Sequence, residues 1–370
     1  MNCITLFLCG DVMLGRGIDQ IMAHPNWPHL FEPYARSAKD YVRLAEAKSG
    51  PFPECVPFDY VWGDALRELE RVSPDARIIN LETAVTCSED AWPGKGIHYR
   101  MHPANAPVLS AAKIDCCALA NNHVLDWGYR GLTETLNTLR SAAIHTAGAG
   151  QDGDEAAMPA RIELAGGGSV LIFAFAAESS GVGEDWSAVR GRAGVNRLKD
   201  LSGDSVRAIA AQVHRVRQPS DIVVVSIHWG ANFDFDIPMS QRHFAHGLID
   251  SAAADVIHGH SSHHVKGIEV YRDKLILYGA GDFINDYEGI TGEEAYRGDL
   301  ALMYFPTLDP GTGKLLELSM TPTQTRRFCI NRAPQEGVQW LEETLNRESQ
   351  PLGVGVRRRA DDTFVLRALA

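Results

Sequence analysis

The sequence predicts a layered α/β protein with a covered sheet inside and helices outside. Two patterns predict it: short apolar runs with no polar alternation, and segments of helical period between them. A third pattern says where chemistry is expected, because polar residues of metal-ligand type stand where the apolar runs end.

The runs come in this order. "ITLFLCG" (4–10) is followed by "ARIINLE" (76–82), "CCALANN" (116–122), "SVLIFAFA" (169–176), "DIVVVSIHWG" (221–230), "DVIHGH" (255–260) and "KLILYGAGDF" (274–283). Each is apolar on both faces, as a strand within a covered sheet must be. Between them, "YVWGDALRELERV" (60–72), "YRGLTETLNTLRSA" (129–142), "SVRAIAAQVHRVRQ" (205–218) and "MSQRHFAHGLIDSAA" (239–253) carry the helical period. Residues 17–59, rich in Pro and aromatics, show neither period and read as a long irregular insertion of the lid or binding-loop kind. Beyond residue 330, "EGVQWLEETLNRE" predicts a helix and "TFVLRAL" a strand. The expected organisation is one large domain over 1–330 that carries the 17–59 insertion, with 331–370 packed on it as an extension.

Composition narrows the function. The chain has 370 residues, 45% of them hydrophobic, and a net charge of −12 that repels phosphate backbones, so nucleic acid is not an expected partner. Seven cysteines, with no C-x-x-C pair, read as buried free thiols of a reducing compartment. The start "MNCITLFLCGDVML" has no basic leader, and its apolar run is far shorter than the roughly 20 residues of a membrane span. The expectation is a cytoplasmic chain without a membrane segment.

Five runs end in candidate ligands. Asp11 follows the first, Glu82 the second and Asn122 with His123 the third; His228 lies in the fifth, and His258, His260, His263 and His264 belong to or follow the sixth. Half of the fourteen histidines fall between residues 228 and 264. Carboxylates, an amide oxygen and imidazoles, without paired thiolates, suit a divalent transition metal such as Mn²⁺, Fe²⁺ or Zn²⁺ and not a structural zinc. His258 alternates with His260 and is read as structural, as are His243 and His246 on their helix. Asp126 and Arg16 lie a few residues from the ligands and are candidates for a functional role, against readings as a helix cap and a surface charge.

Several of these segments resemble, in order, the motif set of the CapA family, named for poly-γ-glutamate capsule synthesis: "CGDVMLGR" (9–16), "NLE" (80–82), "ANNHVLDWG" (120–128), "HWG" (228–230), "HGHSSHHVKGIEVY" (258–271) and "GDF" (281–283). The resemblance runs from residue 4 to about 305. That family looks like a branch of the calcineurin-like metallophosphoesterases, which implies a four-layer α/β/β/α sandwich with two metals at the strand ends. Carried over by motif, Asp11, the bridging Glu82 and His263 hold one metal, and Glu82, Asn122, His228 and His260 hold the second. His123 takes the place of the general acid, with Asp126 to orient it. Two departures stand out. Met13 occupies the place of a ligand histidine, and the spacing His260-x-x-His263, with His264 adjacent, leaves open which of the last two binds.

Such a site acts on a small-molecule or peptide substrate. The leading expectation is a binuclear metal hydrolase of phosphoester or amide bonds. The alternatives are a metal-dependent peptide epimerase like the CapA-like proteins encoded with lasso-peptide precursors, and a non-catalytic subunit of a polyglutamate capsule synthase. The sequence is silent on oligomeric state.

Overall fold

The computed structural model describes residues 3–369. Two mixed β-sheets carry the fold. The larger has ten strands, ordered along its main path Val354–Arg358, Phe364–Ala368, Leu315–Arg326, Leu300–Leu308, Ile4–Val12, Ala76–Leu81, Cys116–Ala118 and His145–Ala147. Asp282–Ile284 pairs in parallel with Ile4–Val12, and Cys329–Arg332 joins Leu315–Arg326. The smaller has six: Ile268–Tyr271, Lys274–Leu277, Val256–His260, Ile222–His228, Ser169–Ala176 and Ala160–Glu163.

All seven apolar runs contain strands, and their two-sided apolarity has a direct cause. Along the smaller sheet, Val170, Ile172, Val224 and Val256 join the same core as Leu6, Leu8 and Ile78 of the larger sheet. The alternate residues Leu171, Phe173, Val223, Val225 and Ile257 pack on Ile209, Val213, Phe244 and Leu248 of helices Gly203–Val216 and Met239–Asp250. The central strands of the smaller sheet thus meet the other sheet on one face and helices on the other, and the architecture is an α/β sandwich.

Two paired strands of the larger sheet approach closely where the ligands lie. A Cβ on Gly10 would sit 1.7 Å from the carbonyl oxygen of Gly281, so only glycine lets Asp11 and Asp282 stand side by side. Other departures from the sequence pattern are local. Residues 60–72 do not form one helix: Tyr60–Trp62 is a 3₁₀ turn, and the α-helix Asp64–Val72 begins after Gly63, whose φ is +43°. The 17–59 insertion is less irregular than expected. It holds helix Ala38–Ser49, opened by a capping box between Ser37 and Asp40. The C-terminal segment has helix Gln335–Ser349 and two strands, Val354–Arg358 and Phe364–Ala368, that extend the larger sheet. Only Cys9, Cys116 and Cys117 are buried thiols, whereas Cys3, Cys55 and Cys87 are exposed and Cys329 lies between. Among the described residues no helix is long and apolar enough to cross a membrane.

Candidate metal centre

Parallel pairing in register sets the site. Asp11 lies opposite Asn80 and Asp282 on the two strands that flank it, and His228 lies opposite His260 in the smaller sheet. Side chains from both sheets therefore meet at the carboxyl ends of parallel strands, where ligands gather in α/β proteins.

Two groups of donors lie within 4.8 Å of one another: Asp11, His228 and His260, and Asp11, His263 and Asp282, all buried. Asp11 is common to both, whereas the family resemblance gives the bridging place to Glu82. Glu82 stands beside the first group, with its Oε1 3.7 Å from His228 Nε2. Asn122 Oδ1 lies 3.1 Å from the same nitrogen. His260 Nδ1 is 2.8 Å from His228 Nδ1 and 3.8 Å from Asp11 Oδ1, while its Nε2 is held by the Ser226 hydroxyl at 2.8 Å.

The carboxylates have their own supports. The Asn80 amide donates to Asp11 at 2.7 Å and to Glu82 at 3.2 Å. Asn121 Nδ2 donates to Asn80 Oδ1 at 3.1 Å, and Asn121 Oδ1 accepts from the backbone of His123 and Val124, so one buried amide pair links the carboxylates to the turn that carries Asn122. The backbone N–H of Ser261 donates to Asp11 Oδ2, and Asn285 donates to Asp282.

Burial drives the pKa of Asp11 up to about 7, helped by the nearby Asp282 carboxylate, and pushes Glu82 well above the ordinary range for the same reasons, Asp11 and Asp282 being its close charges. Burial also pushes His228 and His260 well below the usual imidazole value. For His263 burial works against protonation, but the Asp282 carboxylate at 2.8 Å outweighs it and raises the pKa. Crowded carboxylates short of positive charge, facing imidazoles that are neutral, form a donor set that fits a divalent cation.

His123 lies to one side. Its Nδ1 is 2.7 Å from Asp126 Oδ2, and its Nε2 faces Glu82 at 3.8 Å. Burial lowers it to about 4, against the pull of Asp126. Burial opposes charge on Asp126 too, yet His123 and Lys95 outweigh it and hold that carboxyl below its usual pKa. Asp126 is therefore a buried partner of His123.

Arg16 is not a surface charge. It is 3% exposed, its guanidinium pairs with Glu32 at 2.9 Å and with Asp286 through both Nε and a terminal nitrogen, and it lies 3.8 Å from the centre of the Tyr41 ring. Its donors are spent on tying the insertion to the chain behind Asp282. His264 also turns away: Nε2 accepts from the backbone of Asp234 and Nδ1 meets the Val265 carbonyl. Of the last two histidines, His263 is the one grouped with Asp11. Met13 is fully buried, and its sulfur accepts from the Tyr287 hydroxyl at 3.6 Å.

The family model for the bacterial capsule synthesis protein PGA_cap matches residues 5–287. The chain belongs to that family. It is 46% identical over 98% of its length to a probable polyglutamine synthesis accessory protein of Mycobacterium tuberculosis, covering 95% of that protein. It is 26% identical over 85% of its length to the PGA biosynthesis protein CapA of Bacillus subtilis, covering 70% of it. Among solved structures, it matches "GAP50 the anchor in the inner membrane complex of Plasmodium" over 94% of this chain and 97% of that one. With 8% identity and a TM-score of 0.34, that likeness supports no conclusion about fold.

Three residues of the site escape the strand-end pattern. Asp282 lies inside the quoted run "KLILYGAGDF", and its carboxylate directly after Gly281 is the signal that marks it. Asn80 precedes Glu82 in "NLE" and supports the ligands without joining them. Lys95 reaches the site from a loop that carries no pattern at all.

Proposed function

We propose that this chain is a metal-binding accessory protein of glutamate-polymer synthesis, with two divalent ions held between its sheets. The observation that carries the reading is the pair of buried donor groups sharing Asp11, in a chain related over nearly its whole length to a probable polyglutamine synthesis accessory protein. Asp11, His228 and His260, with Glu82 and Asn122 beside them, are the residues for one ion, and Asp11, His263 and Asp282 for the other. Mn²⁺, Fe²⁺ and Zn²⁺ all suit such oxygen and nitrogen donors. The layers correspond in this reading to a calcineurin-like α/β/β/α sandwich, with 1–330 as one domain, 17–59 as its lid and 331–370 as an extension.

A catalytic role is favoured by a specific observation, the His123–Asp126 pair directed at Glu82. A bound divalent ion polarises a substrate oxygen and lowers the pKa of water. His123, its Nδ1–H held by Asp126, presents Nε2 to that place and can give or take a proton there. This supports hydrolysis of an amide or phosphoester. Epimerisation at a Cα would draw on the same histidine and on a second group opposite it.

One experiment separates these readings. Protein loaded with Mn²⁺ is incubated with γ-linked glutamate oligomers, a peptide and a phosphomonoester, in ¹⁸O-water and in D₂O. Retention of the oligomer without turnover is the accessory reading. ¹⁸O in a cleaved product is the hydrolase, and deuterium at one Cα without cleavage is the epimerase. A protein that takes up no metal and retains no oligomer sinks the proposal.

A further inference from the structure

Residues 86–99 join two short strands, Ala84–Val85 and Arg100–Met101, which pair in parallel. This connection lies flat against the turn at residues 121–126. The Trp92 N–H donates to the Asp126 carbonyl at 2.8 Å, and the Tyr99 N–H donates to Asp126 Oδ2 at 2.6 Å. Between those two points Lys95 reaches inward. Its ammonium donates to the carbonyl of Asn122 and lies 2.7 Å from Asp126 Oδ1 and 3.3 Å from His123 Nδ1. The Trp186 ring covers it at 5.0 Å.

The geometry assigns each contact a different weight. His123 Nδ1 donates to Asp126 Oδ2, so its approach to the ammonium joins two donors and binds nothing. Asp126 Oδ1 is the opposite case. It is buried, has no hydrogen-bond partner among the described residues, and meets the Lys95 charge off the hydrogen-bond direction. Lys95 is thus the group that compensates that oxygen, and an uncompensated buried carboxylate is strongly unfavourable. An exposed ion pair would be worth little, but the Asp126 side chain is 0% exposed and Lys95 18%.

We propose that Lys95 is a positioning residue of the metal centre. Through Asp126 and the Asn122 carbonyl it holds in place the two side chains, Asn122 and His123, that face His228 and Glu82. The inference rests on the metal-centre reading and adds a residue to it that touches no donor atom of either group. Partners of this kind, one step behind the ligands, orient them, and their loss weakens metal binding while the ligands remain.

Mn²⁺ titration calorimetry on the full chain tests it. Asp282→Asn identifies which binding step belongs to the Asp11–His263–Asp282 group. Lys95→Met is expected to weaken the other step by roughly 10- to 100-fold and leave the Asp282 step unchanged. Lys95→Arg, which keeps the charge, is expected to restore most of that loss. Should Lys95→Met not fold, Lys95→Gln takes its place with the same expectation. Wild-type affinity at both steps in the uncharged variant overturns the proposal, as does an equal loss at both steps that Lys95→Arg does not recover. A wild-type chain that binds no Mn²⁺ overturns the metal-centre reading itself, and is distinguished by failing before any Lys95 variant is made.

Discussion

The ten-stranded sheet and its loops bring Asp11, Glu82, Asn122 and Asp282 to the site, and the six-stranded sheet brings His228 and His260. The two halves are buried alike, and burial moves them in opposite directions. It raises the pKa of Asp11 and Glu82 and lowers that of His228 and His260, so that each half is driven toward its neutral form. Their supports differ accordingly. Amide and backbone donors from Asn80 and Ser261 point at the carboxylates, while His260 rests on a serine hydroxyl. Hydrogen bonds alone leave the carboxylate half short of positive charge. A Lewis acid satisfies both halves at once, because it needs anionic oxygen and neutral nitrogen together.

The sharpest way to break that comparison is to remove the carboxylate charge that both donor groups use. Asp11→Asn keeps the shape of the side chain and belongs to both donor groups. It is expected to lower metal content to below about 0.1 equivalent per chain, whereas His228→Ala and Asp282→Asn should each retain roughly one ion. Elemental analysis of protein purified from metal-replete medium checks this. Two ions in Asp11→Asn would mean that the carboxylate half does not hold the metal.

Next comes the proton-handling group beside the two halves. His123→Ala is expected to cost ~10²-fold in turnover of any substrate the loaded protein converts. Metal content should stay at the wild-type level, since His123 is absent from both donor groups. Loss of metal in this variant would make His123 a ligand.

The third test uses pH on metal-free protein. The folded-state pKa of Asp11 is raised from 3.8 to about 7, so its contribution is fully present below pH 4 and is lost as pH rises toward 7. His228 and His260 run the other way: their folded pKa values are lowered, so their contribution is present above pH 6.5 and is lost as pH falls. Chelator-treated wild type should lose thermal stability between pH 4 and pH 7 relative to Asp11→Asn, which lacks the ionisable carboxyl. Saturating Mn²⁺ should reverse the slope, because metal stabilises the ionised form. Identical pH profiles for the two metal-free proteins would show that Asp11 ionises in the fold without cost.

These contrasts also explain how much of the molecule the sequence makes legible. A strand buried on both faces is a continuous apolar run, and all seven runs that the pattern picks out contain strands. Leu300–Leu308 carries the same signal in "LALMYF" (300–305) and is buried almost throughout, although it stands outside the seven runs. Helix Ala38–Ser49 buries only Ala38, Tyr41 and Ala45, too narrow a stripe to declare a period, and its signal is the Ser37–Asp40 cap. At the site, chain position at or just past the end of a strand is enough to find Asp11, Glu82, Asn122, His228 and His260 as candidates, since parallel strands deliver their ends to one place. Arg16 is adjacent in sequence but its direction is set by Glu32 and Asp286, 16 and 270 residues away. Lys95 depends on a loop folding back over 27 residues, and no local pattern encodes that.

The smallest expected effect concerns the choice between His263 and His264, which spacing leaves open. His263 directs Nδ1 at Asp282 Oδ1 and falls in a donor group; its neighbour His264 is buried with one nitrogen accepting from the Asp234 backbone and the other against the Val265 carbonyl. Phe235 and Tyr296 also pack on the His264 ring, at 4.5 and 4.7 Å between centroids. With both nitrogens engaged, His264 has no lone pair left for a metal, and its work is to hold the loop that begins after Trp229. His264→Asn should therefore leave metal content at the wild-type value and cost about 1 to 3 kcal/mol of stability, the ordinary worth of two hydrogen bonds lost inside a protein. His263→Asn, matched to it in chemistry and one residue away, should empty the Asp282 group. Metal analysis and thermal melts of the pair, run side by side, check both halves of the statement. Equal metal loss in the two variants would mean that the ring of His264 turns inward when metal binds, and that the two imidazoles share the task.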